Sequence, residues 1–443
     1  MKVIVIGGVA AGMSAASKLK RTDKEAEVIV YEKGVHLSYG ACGLPYYVGD
    51  LNDDYKKLIL RTKEDFEKRD IKINLKHEVV GVEPEKNLIK VKNLENGEEF
   101  EDNYDKLMIA TGASPIIPPF PGKDLKNIFT LNTIEDGLSL KEEAMKETTK
   151  NIVVVGGGYI GIELAEVLTN LGKNITVVEM APKILIPFDK EISDFAHEEL
   201  EKNGAKVKIN EKVEGFEGNE KVEKVKTDKG EYNADLVIMS VGIRPNTKFL
   251  EDSGIKLAKN GAVEINREMK TSVDNIYAAG DCAEVYNMIK KENSYIALGT
   301  NANKCGKIAG ENLAGENIEY KGTLGSSAIK VHSLELARTG LSEKEAEELG
   351  YNYKTKIITT VDKPHYYPGG KELTFKLIYE KDTNRILGAQ GSGEEGVVLR
   401  IDVFALAIEN RMDTEDLGMS DFCYAPPFST AWDAINIVGN ASK

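Results

Sequence analysis

One pattern occurs twice in this chain: an apolar strand, a glycine-rich turn, a helix-like stretch and a second strand that ends in a glutamate. The first copy begins at Lys2 and the second at Asn151, and their second strands end at Glu32 and Glu179. Glycines in such a turn let backbone N–H groups and a helix N-terminus approach a pyrophosphate, while the glutamate accepts ribose hydroxyls. Two complete copies therefore predict two parallel α/β sheets, each with a dinucleotide site.

The first turn departs from the usual glycine pattern at one place. It reads Gly7-Gly8-Val9-Ala10-Ala11-Gly12, and we take Ala11 as the position where a middle glycine is common. Alanine is small enough for such a turn, so we still interpret the first copy as a dinucleotide-binding motif.

Strand-like runs that end in glycine surround the second copy of the pattern. One ends at Gly112 and another at Gly280, on either side of the second copy, while a third ends at Gly242 within it. This order predicts one nucleotide-binding domain inserted into another, with a proline-rich stretch at 115–122 leading out and residues 242–246 leading back. Amphipathic strands in the last quarter predict a third, α+β domain. The expected boundaries are 1–115 with 247–322 for the first domain, 116–246 for the second and 323–443 for the third.

Composition excludes several classes of protein. A length of 443 residues suits about three domains of roughly 150 residues each. No apolar run approaches the roughly 18 residues of a membrane helix, and the amino terminus has no signal pattern, so we expect a cytoplasmic protein. The net charge of −14 disfavours a nucleic-acid partner. Four cysteines without metal-ligand spacing predict neither a metal site nor a disulfide framework.

The order of motifs along the chain resembles that of the flavin-dependent pyridine nucleotide disulfide oxidoreductases. The shared parts are the first fingerprint, a reactive cysteine, Ala110-Thr111-Gly112-Ala113, the second fingerprint, Ala278-Ala279-Gly280-Asp281 and a final interface domain. This resemblance implies two Rossmann-like dinucleotide-binding domains, one inserted in the other, and a C-terminal α+β dimerisation domain. It also implies FAD at the first fingerprint and NADH at the second.

The resemblance assigns cofactor contacts to particular residues. The FAD contacts it implies are Gly7, Gly8, Ala11, Gly12, Glu32 at the adenosine ribose, Lys33, Val80, Ala110, Thr111, Gly112 and Asp281 at the ribityl chain. The nicotinamide-cofactor contacts it implies are Gly156, Gly158, Tyr159, which shields the flavin in relatives, Ile160, Gly161, Glu163, Glu179 and Gly242. A carboxylate at Glu179 repels a 2′-phosphate and favours NADH, whereas the nearby Lys183 keeps NADPH open as a cofactor.

Cys42 is the redox cysteine that the resemblance implies. No C-x-x-C or C-x-x-x-x-C pattern occurs, and Tyr47 stands where a second cysteine would follow. Because Cys42 comes just before a predicted helix start, we expect its thiol pKa to be lowered. The other three cysteines are interpreted as structural. Ala10 stands where peroxidases and water-forming oxidases of this family carry a histidine, which argues against both.

Within the family, the Cys42-Gly43-Leu44-Pro45-Tyr46 signature and residues 425–429 resemble those of coenzyme A disulfide reductase. That group implies a homodimer in which Tyr366 and Tyr424 of the partner subunit act near Cys42, where a tyrosine can protonate a leaving thiolate. The coenzyme A contacts that it implies are Ser14, Lys18, Arg21 and Ser38.

Three positions depart from the coenzyme A disulfide reductase pattern. Ala41 replaces an asparagine, Asp70 stands where a lysine is found, and Trp432 replaces a basic residue. A coenzyme A persulfide, a polysulfide or oxygen therefore stays open as the electron acceptor. An NADH oxidase and a redox-sensing flavoprotein without catalytic activity are the alternatives. The sequence also leaves open whether Cys42 is held as a mixed disulfide with coenzyme A.

Overall fold

The structure, a computed structural model, describes residues 1–442. Up to residue 115 its strands are β1 (Lys2–Ile6), β2 (Glu27–Glu32), β3 (Ile71–Leu75), β4 (His77–Glu83), β5 (Leu88–Asn93), β6 (Glu99–Asn103), β7 (Lys106–Ile109) and β8 (Ala113–Pro115). The next group is β9 (Ile128–Phe129), β10 (Asn151–Val155), β11 (Asn174–Val178), β12 (Lys206–Lys208), β13 (Val213–Gly218), β14 (Val222–Thr227), β15 (Gly230–Asn233), β16 (Leu236–Met239) and β17 (Ile243–Pro245). The last strands are β18 (Ile276–Ala278), β19 (Val285–Asn287), β20 (Glu292–Ser294), β21 (Ser327–Val331), β22 (Leu334–Gly340), β23 (Tyr353–Val361), β24 (Glu372–Glu380) and β25 (Ile386–Gly393).

Eleven α-helices lie within the described residues. They are α1 (Ala10–Thr22), α2 (Leu44–Val48), α3 (Lys63–Glu67), α4 (Ile134–Ala144), α5 (Tyr159–Asn170), α6 (Lys190–Lys202), α7 (Gly299–Leu313), α8 (Glu343–Glu348), α9 (Val397–Glu409), α10 (Thr414–Gly418) and α11 (Ala434–Ala441). A 3₁₀ turn at Ala41–Gly43 immediately precedes α2. Within residues 1–442, no helix has the length and apolar character to cross a membrane.

The first copy of the sequence pattern forms a five-stranded parallel sheet in the order β18-β7-β1-β2-β3. Val3, Ile4 and Val5 of β1 are fully buried, because a central parallel strand is covered on both faces. Helices α1 and α7 pack on one another beside this sheet. Strand β18 completes the sheet at its β7 edge, although more than a hundred residues separate it from β7 along the chain.

The second copy forms another five-stranded parallel sheet, in the order β12-β11-β10-β16-β9. The chain that leads into this region and the chain that leaves it pair as β8 and β17, with Ser114 opposite Arg244. Two antiparallel three-stranded sheets, β4-β5-β6 and β13-β14-β15, accompany the two parallel sheets. The α/β fold class is confirmed, whereas the exact domain boundaries stay a prediction.

The last part of the chain forms an antiparallel sheet in the order β21-β22-β25-β24-β23. Helix α9 packs against β22 and β25, and α11 packs against β23 and β24. Phe375 and Phe404, from β24 and α9, are fully buried in the resulting core. This arrangement is the α+β domain that the sequence predicts.

A buried ionic cluster joins the second parallel sheet region to the last sheet. The ammonium group of Lys376, which is 1% exposed, lies 2.6 Å from Glu343, 2.9 Å from Glu191 and 3.1 Å from Asp189. Gln390 adds two hydrogen bonds, accepting from the Asp189 N–H at 2.7 Å and donating to its carboxylate at 2.9 Å. We call these five residues the Lys376 network. Because its members come from both regions, it fixes their relative positions.

Candidate active site

The two glycine turns have the same backbone geometry. Gly7 has φ +102°, and a Cβ atom there would lie 2.2 Å from the carbonyl oxygen of Ala110. Gly156 has φ +106°, and its Cβ would lie 2.2 Å from the carbonyl oxygen of Ser240. A side chain is excluded at both positions by the backbone conformation and by the neighbouring strand. The backbone of each turn therefore lies directly against the segment that follows the neighbouring strand.

Each turn is held by the glutamate at the end of the next strand. The Glu32 carboxylate accepts hydrogen bonds from the N–H groups of Gly8 at 2.6 Å and Gly34 at 2.7 Å. Glu179 accepts two backbone N–H groups in the same way, each at 2.7 Å. Both acids are thus oriented by the backbone before any ribose is bound.

Lys183, which the sequence analysis gives as a reason to keep NADPH open as a cofactor, is bound within the protein. Its ammonium group donates hydrogen bonds to the backbone carbonyls of Ile186, at 2.6 Å, and Phe188. Partial burial lowers the pKa of Lys183. Since these carbonyls already bind the ammonium, Lys183 would have to leave them in order to bind a 2′-phosphate.

The helices after the two glycine turns begin without capping side chains. The N-cap residues of α1 and α5 are Val9 and Gly158, and neither helix has an acidic residue in its first turn. By contrast, α4, α8 and α10 are capped by the side chains of Thr133, Ser342 and Asp413. The first N–H groups of α1 and α5 are therefore free of capping side chains and suit a pyrophosphate.

The placement of the middle glycine in the first turn was wrong. Val9 is the N-cap of α1, as Gly158 is the N-cap of α5, so Val9 and not Ala11 corresponds to the middle glycine. Ala11 is 5% exposed and faces α7, where a Cβ on Gly306 would lie 2.4 Å from its carbonyl oxygen. The close packing of α1 on α7 therefore requires glycine at position 306.

Asp281 is a half-buried carboxylate at the end of the first sheet. Burial raises its pKa, and its carboxylate forms no hydrogen bond within residues 1–442, although Tyr295 donates to its backbone oxygen at 2.9 Å. Such a group suits a ligand that offers hydroxyl donors. The glycine turn, the uncapped α1, Glu32 and Asp281 together fit FAD.

The other predicted cofactor contacts occupy different environments. Lys33 is exposed, Val80 is 39% exposed and Ile160 is 38% exposed. Thr111 and Asn246 bond to one another's backbone oxygens, at 2.7 and 2.9 Å, which joins the segment after β7 to the one after β17. The Ala110 and Gly112 backbones flank Thr111, and Gly242 has φ +113°. The contacts of these residues to a cofactor stay predictions.

Cys42 lies in the 3₁₀ turn before α2 and is exposed. Neighbouring atoms nevertheless displace part of the water around its thiol, and this desolvation raises its pKa; the Glu163 and Asp281 carboxylates raise it further. The expectation of a lowered pKa was therefore wrong for the protein without its cofactors. The raised pKa thus depends on the loss of water around the thiol and on two carboxylates from distant parts of the chain.

The remaining cysteines are of two kinds. Cys282 and Cys305 are buried, and burial raises the pKa of Cys282 to about 11 and that of Cys305 to about 12. Cys423 is exposed, and its interpretation as a structural cysteine stays a prediction. Cys42 is therefore an exposed thiol whose pKa is influenced by Glu163, on α5, and by Asp281, which follows β18.

Tyr366 and Tyr424 come together on the surface of the last domain. Their hydroxyl groups lie 3.1 Å apart, and the side chains are 72% and 49% exposed. This hydrogen bond raises the pKa of Tyr366. Within one chain, over residues 1–442, no hydrogen bond or ion pair connects either tyrosine to Cys42.

The predicted coenzyme A contacts lie on or near α1. Ser14 bonds to a side chain of α7 at 2.9 Å, and Lys18 pairs with Glu311 at 2.8 Å. Arg21 is exposed and has no ion pair within residues 1–442. Ser38 lies beyond the first turn with φ +49°. Lys18 would have to exchange Glu311 for a ligand phosphate, whereas Arg21 is available.

Two residues that are predicted to contact the nicotinamide cofactor, Glu163 and Tyr159, have partners to which the sequence analysis assigned no role. Tyr46 donates a hydrogen bond to Glu163 at 3.2 Å, and the Tyr159 hydroxyl lies 2.7 Å from that of Ser327. Tyr46 follows Cys42 by about one helical turn, which is the signal that could have identified it. Ser327 belongs to β21, and no local sequence signal connects it to Tyr159.

The chain matches known proteins over nearly its whole length. The family model of the pyridine nucleotide-disulphide oxidoreductases matches residues 1–306, and the model of their dimerisation domain matches residues 326–434. The chain is 41% identical to an NAD(P)H sulfur oxidoreductase (CoA-dependent) of Pyrococcus furiosus, covering 100% of this chain and 99% of that protein. It is 38% identical to an NADH oxidase of Methanocaldococcus jannaschii, covering 99% and 97%.

The fold also matches solved structures. The reduced CoADR-RHD of Bacillus anthracis has a TM-score of 0.97 and 35% identity, covering 100% of this chain and 80% of that one. This match and the two family models agree with the paired glycine turns and the C-terminal sheet. The chain therefore belongs to the pyridine nucleotide-disulphide oxidoreductase family, which depends on FAD and NAD(P)H.

Proposed function

We propose that the protein uses NADH to reduce a disulfide or persulfide of coenzyme A, with Cys42 as the sulfur that exchanges with the substrate. The observation that carries this proposal is the exposed thiol of Cys42 beside Glu163 and Asp281, which belong to different nucleotide motifs. Relatives named for CoA-dependent sulfur chemistry support the substrate class. The net reaction is NADH + H⁺ + R–S–S–R′ → NAD⁺ + RSH + R′SH.

The chain's residues hold the two cofactors at separate turns. We assign the Gly7 turn, Glu32 and Asp281 to FAD, and the Gly156 turn with Glu179 to NADH. When bound there, FAD would supply the group that takes a hydride from NADH and passes two electrons to sulfur. We also propose the domain division given by the sequence and, on the sequence argument alone, a cytoplasmic location.

Cys42 performs the sulfur chemistry in two half-reactions. Its thiolate attacks one sulfur of R–S–S–R′, so that a Cys42–S–S–R bond forms, the substrate S–S bond breaks and R′S⁻ leaves with a proton. Two electrons that originate from NADH then cleave the Cys42–S–S–R bond, which releases RSH and restores the thiolate. No second protein thiol is needed.

The active form is proposed to be a homodimer formed through the last domain. The dimerisation-domain match and the exposed Tyr366–Tyr424 pair support this. In the dimer, this pair would face the partner subunit's Cys42, where a hydroxyl can protonate the leaving thiolate. Ser14, Lys18, Arg21 and Ser38 are proposed to bind the coenzyme A part, with Arg21 as the free cation.

The test is stopped-flow reoxidation of NADH-reduced enzyme by coenzyme A disulfide, coenzyme A persulfide, polysulfide and oxygen, in parallel. Cys42→Ser should lower the rate with the sulfur acceptors by roughly a thousandfold or more, as expected when a covalent nucleophile is removed. Reduction of the flavin by NADH should continue. Cys423→Ser, which removes the other exposed thiol, is the matched control and should retain the native rates.

A second candidate is an NADH oxidase that reduces oxygen at the flavin, which the relative named NADH oxidase favours. It predicts fast reoxidation by oxygen in both native enzyme and Cys42→Ser. If Cys42→Ser also reduces coenzyme A disulfide at a rate near the native one, Cys42 is not the exchanging sulfur. Direct oxidation of the flavin by the acceptor then becomes the leading account.

A further inference from the structure

One loop of the second nucleotide-binding region lies directly against its glycine turn. This loop, residues 180–189, leads from the end of β11 to α6. Its Leu185 N–H donates a hydrogen bond to the carbonyl oxygen of Gly157 at 2.7 Å, and a Cβ on Gly157 would lie 2.7 Å from a side chain of the loop. The Ala181 N–H donates to the Glu179 carboxylate at 2.7 Å. The 180–189 loop therefore supports both the turn and the glutamate that we assign to NADH.

The shape of the 180–189 loop depends on the contacts around it. Leu185 has φ +47°, a left-handed conformation in which the Cβ of an ordinary residue is crowded by its own backbone. Such a conformation persists where the surrounding structure holds it. The Leu185 side chain is fully buried, and Ser193 of α6 donates a hydrogen bond to the carbonyl of Ile184 at 2.7 Å. The contacts that hold the loop therefore also determine where the Gly157 backbone lies.

The last domain supplies one of these contacts through a single arginine. Arg338 of β22 donates a guanidinium N–H to the backbone carbonyl of Pro187, within the loop. Its other terminal nitrogen donates to the Gly340 carbonyl at 2.7 Å and to Glu345 at 2.8 Å. Arg338 is 7% exposed, so water competes little for these bonds. The planar guanidinium thus connects the loop to two fixed points of the last domain.

The residue opposite Arg338 in the sheet contacts the same nucleotide-binding region. Ser327 of β21 pairs with Arg338 across the antiparallel ladder, so the two side chains lie on one face of the sheet. The Ser327 hydroxyl lies 2.7 Å from that of Tyr159, the first residue of α5. Asp189, at the end of the loop, belongs to the Lys376 network. The last domain therefore contacts both the loop and the helix that follows the glycine turn.

We propose that Arg338 is a positioning residue for the binding of NADH. By holding the Pro187 carbonyl, it keeps the 180–189 loop against the glycine turn, so that the N–H groups of the turn stay in the arrangement that binds a pyrophosphate. The inference rests on the proposed assignment of NADH to the Gly156 turn and deepens it. Because the turn binds the pyrophosphate and not the nicotinamide ring, Arg338 affects the affinity for NADH and not the rate of hydride transfer.

The experiment is anaerobic stopped-flow reduction of the FAD-loaded enzyme over a range of NADH concentrations, which separates the Kd of NADH from the limiting rate. Arg338→Ala should raise this Kd about tenfold or more, because a hydrogen bond from a charged group is lost. The limiting rate should stay within about twofold of the native value. Millimolar guanidinium ion should lower the Kd of Arg338→Ala again, because it can donate to the same oxygens.

Arg400→Ala is the matched control. The Arg400 side chain is 14% exposed, and its partners are Asp433, at 2.8 Å, and the Gly396 carbonyl, at 3.0 Å, both in the last domain. Its loss should lower the Tm but leave the Kd of NADH unchanged, with or without guanidinium. If Arg338→Ala does not retain FAD, Arg338→Lys replaces it. This variant keeps the cation and should still raise the Kd at least about threefold, because an ammonium lacks the fork of donors that joins the three oxygens.

Two results would overturn the positioning role of Arg338. One is an unchanged Kd of NADH in the Arg338 variant, and the other is an equal rise of Kd in Arg400→Ala. The proposed function would survive either result if Cys42→Ser still abolished disulfide reduction and Gly156→Ala still abolished flavin reduction by NADH. Native flavin reduction in Gly156→Ala would instead contradict the assignment of NADH to this turn, so the two failures are distinguishable.

Discussion

The clearest quantitative prediction concerns the choice between NADH and NADPH. NADPH differs by a 2′-phosphate on the ribose that we assign to Glu179. At about 4 Å and an effective dielectric constant of about 20, two like unit charges repel by about 4 kcal/mol. Because Glu179 is half-buried and salt screens exposed charges, we take about half of this, ~2 kcal/mol, which is about 30-fold in kcat/KM.

Glu179→Gln should therefore raise kcat/KM for NADPH about 30-fold. The value for NADH should change little, because glutamine keeps an oxygen that can accept one of the two backbone N–H groups bound by Glu179. The assay is anaerobic stopped-flow reduction of the flavin by each nucleotide. In the native enzyme, the preference for NADH should shrink between about 0.15 M and about 1 M ionic strength as the charges become screened.

Lys183→Met is the control for this prediction. The Lys183 ammonium is bound to two backbone carbonyls, so its loss should leave the NADH to NADPH ratio unchanged even if the loop is weakened. Lys183 would instead be shown to bind the phosphate by two results together. The native enzyme would use NADH and NADPH with nearly equal kcat/KM, and Lys183→Met would lower kcat/KM for NADPH relative to NADH by about tenfold. A ratio in Glu179→Gln within threefold of the native ratio would refute the electrostatic argument itself.

Three further predictions concern stability, the second turn and the dimer. Lys376→Met should destabilise the enzyme by about 3 kcal/mol, since it leaves the buried carboxylate of Asp189 without its cation. Calorimetry at fixed scan rate should show a lower Tm than for the exposed-pair control Lys72→Met. Gly156→Ala should abolish flavin reduction by NADH but not by dithionite, because its Cβ would lie 2.2 Å from a backbone oxygen; reduction by NADH at the native rate would contradict this. Tyr424→Phe should slow turnover of coenzyme A disulfide by at least about tenfold, because a proton donor is lost, and should leave reduction of the flavin by NADH unchanged. The same effect in Tyr366→Phe would show that the two tyrosines act together.

The parts of the site that were predictable from sequence are those fixed by local backbone geometry. Gly7 and Gly156 could be identified because a strand that turns sharply into a helix beside another strand has no space for a Cβ. Glu32 and Glu179 follow from the same unit, since the next strand must end beside the turn. The positions of these glycines and glutamates depend on about thirty consecutive residues, so they can be predicted from the local sequence alone.

The parts that sequence reasoning missed depend on contacts between distant segments. The pKa of Cys42 is raised first by desolvation and then by Glu163 and Asp281. These causes depend on segments far from Cys42 along the chain, whereas the helix start that should lower the pKa is local. Lys183 has the charge expected of a phosphate ligand, but the path of the following loop determines its partners.

The path of the chain through the first parallel sheet also has a consequence for biosynthesis. β18 and α7 complete this sheet and its helix layer, but a ribosome makes them only after the whole second parallel sheet. At about 5–20 residues per second, roughly 10–30 s pass between the synthesis of β7 and that of β18. During that interval the edge of β7, whose Leu107 and Met108 are fully buried in the finished protein, has no neighbouring strand. The nucleotide-binding region that is second in sequence is therefore the first that can fold to completion on the ribosome.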